Sequence, residues 1–275
     1  MVKLLIRDMA SPDRADPLFP FLRNFDLYAG HSWASGHARF GDGNNNESSS
    51  EAMNAWAGVI LWGEATSDRT LRDLGVYLYT TELHGIEEYW FDVHGDNFPK
   101  GYTPSVVTMV WGGKGANATW FSGRPEHIHG INWLPLHAGS LYLGRHPAYL
   151  EKNYAALEKE VGSTAWQSWP DIIWMVRALT DPADALRQYE AGERAKFEDG
   201  NSRANTDYWL HALAALGRVD ATVTADHPLY AVFRKGERRT YVVYHGGPGE
   251  RTVTFSDGQR VQATGRGLFH VSSGK

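Results

Sequence analysis

The sequence lacks cysteine, long apolar runs and an excess of basic residues, and each absence excludes a class of protein. Without cysteine, the chain has no disulfide scaffold, no thiolate metal site and no cysteine nucleophile. No apolar run approaches the ~20 residues of a membrane helix, and the N-terminus has no apolar segment of signal-peptide length. Lys and Arg number 27 and Asp and Glu 32, so the net charge of −5 argues against nucleic acid or an anionic membrane as partner.

Aromatic residues are abundant instead, with 11 Trp, 13 Tyr and 11 Phe in 275 residues. Many stand beside polar residues and not inside apolar runs. Side chains that combine an apolar ring with a polar edge often line grooves for sugars and other flat ligands. Ordinary core packing is the alternative interpretation, and the length fits one large or two small domains.

Apolar spacing predicts a mainly helical body followed by a small antiparallel β segment. Spacing close to 3.6 residues predicts a short helix early in 1–25 and further helices over 52–62, 70–86, 131–143, 147–161, 170–179, 182–197 and 205–216. Residues 26–46, rich in Gly and Asn, are predicted to form a structured loop over an active face. Strand-like runs at 230–233, 240–244 and 252–255 are separated by turn residues. We therefore predict two units, 1–225 and 226–275.

The chemistry-bearing residues concentrate in 26–54. Glu47 and Glu51 are four residues apart, so on a helix they would lie on one face. Like charges at that spacing repel each other, and carboxylates held close together split their pKa values, which suits the activation of a water. A helix start with acidic residues favoured by the helix dipole is the alternative. Asp26 adds a third acid to the segment.

Aromatic and amide side chains near these acids favour a sugar site. Rings can stack on pyranose faces, and amides are suited to hydroxyl groups. Loop packing is the alternative for the tryptophans that lie further along the chain. The predicted substrate-binding residues are His31, Trp33, Asn44, Asn45, Asn46, Trp111 and Trp120.

Two weaker sequence patterns do not predict a metal site or a phosphate site. His127 and His129 resemble a pair of metal ligands, but no third ligand follows at a suitable spacing, so no metal is predicted. The glycine cluster at 112–115 lacks the phosphate-binding loop pattern. No cofactor is predicted.

Several long motifs resemble glycoside hydrolase family 81, the endo-β-1,3-glucanases. They include D-x-x-x-GHSWASG from Asp26, DGNNNESSSEAMNAW from Asp42 and TWFSGRPEHIHGINWLPL from Thr119, followed by NTDYWLHALAALG and TADHPLYAVF, so the resemblance covers essentially the whole chain. The family's fold is an N-terminal β-sandwich, a linking domain and an (α/α)6 barrel. The resemblance implies that 1–225 is the later part of that barrel, a mainly α toroid, and that 226–275 is the closing antiparallel β segment.

The resemblance also implies a mechanism. Family enzymes hydrolyse internal β-1,3-glucosidic bonds with inversion, using an Asp as general acid and a Glu that activates water. Carried onto this sequence, the resemblance implies that Glu47 is the general base. Glu51 then holds the attacking water or tunes the properties of Glu47, and the opposite assignment of the two roles stays open. Asp26 is implied to be a supporting acid near the cleavage point. Carboxylates suffice for this chemistry, so no cofactor is implied.

One departure from the family pattern stands out. The family's general acid lies in an upstream motif like N-D-H-H-F-H-Y-G-Y, which this sequence lacks. We therefore expect a fragment that supplies one side of the site, with exposed apolar surface and the missing N-terminal part of the enzyme as partner beside β-1,3-glucan. Family members are commonly secreted, which implies an extracellular location although no export signal is predicted.

Two alternatives remain open. A non-catalytic β-1,3-glucan-binding remnant would keep half of the cleft. A lyase on an (α/α) barrel would need a basic cluster around the acid group of its substrate, and the segment 30–51 offers only Arg39.

Overall fold

The computed structural model describes residues 1–34, 39–192 and 194–274 and shows a mainly helical body with small antiparallel sheets. The α-helices are α1 (Val2–Ala10), α2 (Ser49–Ala65), α3 (Arg69–Gly85), α4 (Pro125–Gly130), α5 (Pro147–Val161), α6 (Pro170–Arg177), α7 (Pro182–Ala191) and α8 (Arg203–Leu216). A π-helical turn (Ile86–Trp90) continues α3, and a 3-10 segment (Ala138–Gly144) precedes α5. The strands are β1 (Phe25–Asp26), β2 (His31–Ser32), β3 (Asn45–Asn46), β4 (Met109–Trp111), β5 (Gly115–Ala116), β6 (Arg218–Val219), β7 (Tyr230–Lys235), β8 (Arg238–His245), β9 (Arg251–Thr254), β10 (Arg260–Ala263) and β11 (Gly267–Ser273).

Helices α2 and α3 form a close antiparallel hairpin. Glycines allow the close approach: a Cβ at Gly63 would lie 2.4 Å from the backbone nitrogen of Arg72, and one at Gly75 would lie 2.8 Å from Ile60. The side chain of Asp68 accepts a hydrogen bond from the backbone N–H of Leu71 and so caps the start of α3. This hairpin carries the candidate catalytic segment at one end.

The ends of the other helices carry residues typical of helix starts and stops. Pro occupies the first turn of α5, α6 and α7, where its missing N–H removes no helical hydrogen bond. Ser202 caps α8, because its hydroxyl accepts the backbone N–H of Asn205 at 3.2 Å. Gly217 ends α8 with a positive φ of 89°.

The predicted helix over 131–143 is wrong. Helix α4 ends at Gly130, and helical structure resumes only in the 3-10 segment from Ala138. The apolar residues between them, Trp133 and Leu136, are buried in the main core. Their spacing therefore reflects burial on an irregular segment and not a helical face. The prediction over 182–197 is also too long, because α7 ends at Ala191.

The C-terminal strands form a separate small core. The sheet has the order β11-β8-β7-β6, and β9 pairs with β10. The predicted strands correspond to β7, β8 and β9, whereas β6, β10 and β11 were not predicted. Val232, Tyr241, Val253 and Phe255 are among the buried residues of this core.

Exposed apolar surface, expected from the sequence, lies between α1 and α2. Val2, Leu5 and Leu61 are exposed, and with Met9 and Trp62 they line a groove of about 500 Å³. Among the helices that the structure describes, none is both long and apolar enough to cross a bilayer.

The close packing of α8 on the sheet generates a testable prediction. A Cβ at Gly217 would lie 2.2 Å from the carbonyl oxygen of Arg234 in β7. We expect Gly217→Ala to lower the free energy of unfolding by roughly 3 kcal/mol or more, because it combines a positive φ with a backbone clash.

Gly162→Ala is the matched control. Gly162 ends α5 with φ 80°, and a Cβ added there would have no neighbour within 4 Å. Its cost should be about 1 kcal/mol, from the positive φ alone. Urea unfolding of both variants measures the difference, and equal losses would contradict the clash.

Candidate active site

The segment around Glu47 is fixed on both sides. Before it, β3 pairs with β4 and places Asn45 and Asn46 in a buried sheet. After it, the backbone N–H and the hydroxyl of Ser49 both donate to Oδ1 of Asn132, at 3.0 and 2.8 Å. Glu47 therefore occupies a short link between a strand and the start of α2.

Glu47 itself is half-buried and lies outside the helix. The prediction that Glu47 and Glu51 share one helical face is wrong for Glu47, because α2 begins at Ser49. Oε1 of Glu47 accepts the backbone N–H of Trp120 at 3.1 Å. Burial, together with the nearby charge of Glu51, raises the pKa of Glu47 despite that hydrogen bond. The pair therefore consists of Glu47, which is half-buried and has a raised pKa, and Glu51, which is exposed.

Asp26 lies in a different environment. Burial alone would raise the pKa of its carboxyl, but hydrogen bonds from the backbone of Ala29, the indole of Trp33 and the backbone of Tyr28 outweigh burial and lower it. The Trp33 indole N–H donates to Oδ2 at 3.1 Å. A general acid must hold a proton at the working pH, so a lowered pKa suits Asp26 less to that role than to fixing Trp33.

Four of the predicted substrate-binding residues are buried: His31, Asn45, Asn46 and Trp111, the last of which is 7% exposed. His31 is 2% exposed, and its ring is enclosed by Trp33 at 4.4 Å, Trp90 at 5.0 Å and Tyr89 at 5.8 Å between centroids. Burial lowers the pKa of His31 and favours the neutral ring. Like Asn45 and Asn46, His31 belongs to the frame of the site and presents little surface to a ligand.

An open cleft of about 650 Å³ brings other predicted residues together. Its lining residues are Trp33, Asp42, Gly43, Asn44, Trp111, Gly112, Gly113 and Lys114. The Lys114 ammonium lies 4.5 Å above the Trp111 ring and 3.2 Å from Asp42. Trp120, 62% exposed, contacts Trp111 edge-on at 6.0 Å. Ser35 and Gly36 of the GHSWASG motif lie outside the described residues.

Glu82 supports the site but was not among the residues predicted from the sequence. It lies on α3, is 0% exposed, and accepts the N–H and hydroxyl of Ser32 at 3.1 and 2.8 Å and the indole N–H of Trp56. The Ser32 carbonyl in turn accepts the side-chain amide of Asn46 at 2.8 Å. A chain of buried hydrogen bonds thus runs from α3 to the residue before Glu47. The signal was present, because Glu82 follows Leu78 by four residues on the buried face of α3.

The two histidines considered as metal ligands have separate partners. His127 contacts the hydroxyl of Ser168, and His129 contacts Asn153 and Glu160. Across residues 1–34, 39–192 and 194–274, no group of three or more His, Asp or Glu side chains is arranged to hold a metal ion.

Burial of Glu82 generates a pH prediction. Burial raises the pKa of Glu82 from 4.5 to about 7, so the folded protein binds this proton more tightly than the unfolded chain does. Stability from this group is therefore fully present below about pH 4.5 and is lost as pH rises to about 7. At about 1.4 kcal/mol per pKa unit, the loss is roughly 3 kcal/mol.

We expect Glu82→Gln to remove this pH dependence. The free energy of unfolding, measured by urea titration from about pH 5 to pH 8, should fall less steeply in the variant than in the unaltered chain. Glu151→Gln, at an exposed position on α5, serves as the control and should leave the slope unchanged. Identical slopes for all three proteins would refute the assignment.

Comparison with known proteins gives consistent matches. Residues 1–211 match the model of the glycosyl hydrolase family 81 C-terminal domain. The chain is 52% identical over 274 residues to a glucan endo-1,3-beta-D-glucosidase of Acetivibrio thermocellus and 50% identical over 259 residues to one of Thermobifida fusca. These alignments cover 100% and 94% of this chain, but 35% and 34% of the relatives.

A solved structure agrees with this result. A glycoside hydrolase family 81 protein from Clostridium thermocellum matches with a TM-score of 0.96 and 49% identity, over 99% of this chain and 38% of the other. The chain thus spans about a third of the length of the relatives it matches.

Proposed function

The chain belongs to glycoside hydrolase family 81, and from this premise we propose that it forms part of an enzyme that hydrolyses internal β-1,3-glucosidic bonds with inversion. The observation that carries the proposal is the position of Glu47, a half-buried carboxyl of raised pKa beside an aromatic cleft. The names of the relatives, glucan endo-1,3-beta-D-glucosidase, indicate the substrate. A laminarin-type glucan is the polymer we assign to the cleft.

Glu47 acts as the general base in this proposal. The Trp120 N–H engages Oε1, which leaves Oε2 to accept a proton from water. A raised pKa makes the ionised carboxylate a stronger base. The water attacks the anomeric carbon on the face opposite the departing oxygen, which inverts the configuration. Glu51 holds this water or tunes Glu47, and the two roles are exchangeable.

The cleft supplies substrate contacts of two kinds. The rings of Trp33 and Trp120 suit the apolar faces of glucose units, because an aromatic ring buries such a face without losing a hydrogen bond. The Trp111 ring is 7% exposed and packs against Trp120. Asn44, Asp42 and Lys114 provide polar groups for hydroxyls along the same cleft. An open cleft admits a polymer from the side, in keeping with cleavage at internal bonds.

We assign the general acid to another part of the longer enzyme, outside these 275 residues. Inversion requires two carboxyl groups ~6.5–9.5 Å apart on opposite sides of the bond. Asp26 is a weak candidate because its pKa is lowered and its carboxylate holds Trp33. The exposed apolar groove between α1 and α2 offers a surface on which the rest of the enzyme can pack.

The same proposal covers the architecture and the location. Residues 1–225 form the later part of an (α/α)6 barrel, and 226–275 form its closing β segment. The enzyme acts outside the cell, because a polysaccharide of this size does not cross the membrane to reach it.

Glu47→Gln tests the catalytic assignment. The amide oxygen still accepts the Trp120 N–H, but the variant has no carboxylate to take a proton. In a chimera in which this chain replaces its matching part of the Acetivibrio thermocellus relative, we expect reducing-end release from laminarin to fall by ~10³-fold or more, with laminarin affinity nearly unchanged.

Glu51→Gln is the companion variant for this test. A larger loss in Glu51→Gln than in Glu47→Gln would exchange the two roles. Full activity in both variants would overturn the assignment. Laminarin binding without hydrolysis in the unaltered chimera would favour the glucan-binding remnant instead.

Asp26→Asn separates a positioning role from an acid role. Asn keeps one oxygen for the backbone N–H groups of Tyr28 and Ala29, but its NH2 group replaces Oδ2, the acceptor of the Trp33 indole. A residue that only positions Trp33 should therefore affect KM more than kcat. We expect kcat in the chimera to fall by less than about tenfold. Asp26→Ala should raise KM as Trp33 loses its partner. A fall of ~10³-fold in kcat for Asp26→Asn would show that Asp26 is the general acid.

A further inference from the structure

The loop after β5 carries two exposed aromatic rings that contact different groups. Trp120 is 62% exposed and Phe121 is 56% exposed. The Trp120 ring contacts Trp111 in the cleft, whereas the Phe121 ring lies 6.0 Å from Trp169 and 5.4 Å from His127. Successive residues of one loop thus contact two different aromatic groups. The backbone N–H of Trp120, in the same loop, donates a hydrogen bond to Glu47.

Phe121, His127 and Trp169 form what we name the second aromatic group. His127 and Trp169 are half-buried, with ring centroids 4.3 Å apart. The three rings are tilted against one another by 38° to 43° and not set edge-on. An aromatic surface that stays partly exposed differs from core packing and is typical of a binding site.

The backbone at Trp169 is held in an unfavourable conformation to build this surface. Trp169 has φ 50° and ψ 41°, a left-handed conformation that costs a non-glycine residue ~1–3 kcal/mol. Two contacts stabilise it. The hydroxyl of neighbouring Ser168 lies 2.6 Å from Nε2 of His127, and Gly130 leaves room for the indole, since a Cβ there would lie 3.0 Å from the ring. Such strain persists where the surrounding structure enforces it, and functional sites are where it clusters.

We propose that the second aromatic group binds the β-1,3-glucan chain at glucosyl units beyond those in the Trp33–Trp111 cleft. This inference rests on the proposed function. Two observations favour a glucan over other ligands: the group is continuous with the cleft through adjacent residues of one loop, and its rings combine apolar faces with polar edges. A short oligosaccharide fills the cleft alone, whereas a long chain reaches both aromatic groups.

Two variants and one control test this site in the chimera that also carries Glu47→Gln, so that laminarin is bound and not hydrolysed. Phe121→Ala removes the exposed ring. Trp169→Gly removes the indole and keeps the left-handed backbone, which glycine adopts without strain. Tyr208→Ala is the matched control, because Tyr208 is an exposed aromatic on α8 in neither aromatic group. Isothermal titration calorimetry gives the dissociation constants for laminarin and for the β-1,3-linked trisaccharide.

We expect Phe121→Ala and Trp169→Gly each to weaken laminarin binding by roughly tenfold and trisaccharide binding by less than about twofold. Tyr208→Ala should change neither constant. Unchanged laminarin affinity in both variants overturns the second site and leaves the glucan function intact. Equal losses for both ligands together with a lower Tm indicate a structural role and also overturn it. If this chimera, without a further substitution, binds no laminarin, the proposed function fails and this inference fails with it.

Discussion

The buried carboxyl of Glu82 is the constraint on which the site depends. Burying a polar group that can ionise costs several kcal/mol unless hydrogen bonds compensate. Here the N–H and hydroxyl of Ser32 and the indole of Trp56 compensate, and they come from β2 and α2. The carboxyl therefore joins the helical hairpin to the short strand that carries the start of the GHSWASG motif. Displacement of Ser32 would remove both donors to Oε1, and loss of the Trp56 indole would remove the donor to Oε2, so the three elements hold one arrangement.

That arrangement extends to the candidate catalytic segment around Glu47. Ser32 binds the side chain of Asn46, and Asn132 binds Ser49 on the far side of Glu47. Glu47 is thus placed by groups whose own positions are determined by burial and not by surface loops. Preorganisation of this kind matters because a catalytic base displaced by about 1 Å can lose a factor of ~10² in rate. Under the proposed function, these buried polar residues are positioning residues that act through Glu47.

The sequence predicts some elements and residues of this structure better than others. Helical periodicity predicts α5 to the residue and α3 to within one residue at each end, because apolar spacing and end signals agree there. The prediction over 52–62 misses three residues at each end of α2, which has no side-chain cap. It fails over 131–143, where a buried irregular segment has the same apolar density as a helix. Spacing and resemblance predict the acid pair, a prediction that stays open, and Glu47 lies before the helix because β3 holds the preceding residues. His31 stands in a motif rich in polar groups, and only the tertiary packing of Trp90 and Tyr89 shows that it is buried.

Glu47 and Asp26 show how one frame gives two carboxyls opposite properties. Glu47 is half-buried near a second carboxylate and receives a single backbone hydrogen bond, so its pKa rises. Asp26 receives two backbone N–H groups and an indole N–H, which stabilise its charge and lower its pKa. A base near the reacting water needs the first environment, and a group that anchors a stacking tryptophan needs the second.

Neither environment yields a carboxyl that keeps its proton near neutral pH and donates it across the bond. The buried Glu82 has a pKa near 7, but its oxygens are occupied by Ser32 and Trp56 inside the core. Under the proposed function, this division of properties fits a base and its supporting residues in this chain, with the proton donor on the opposite side of the glucan.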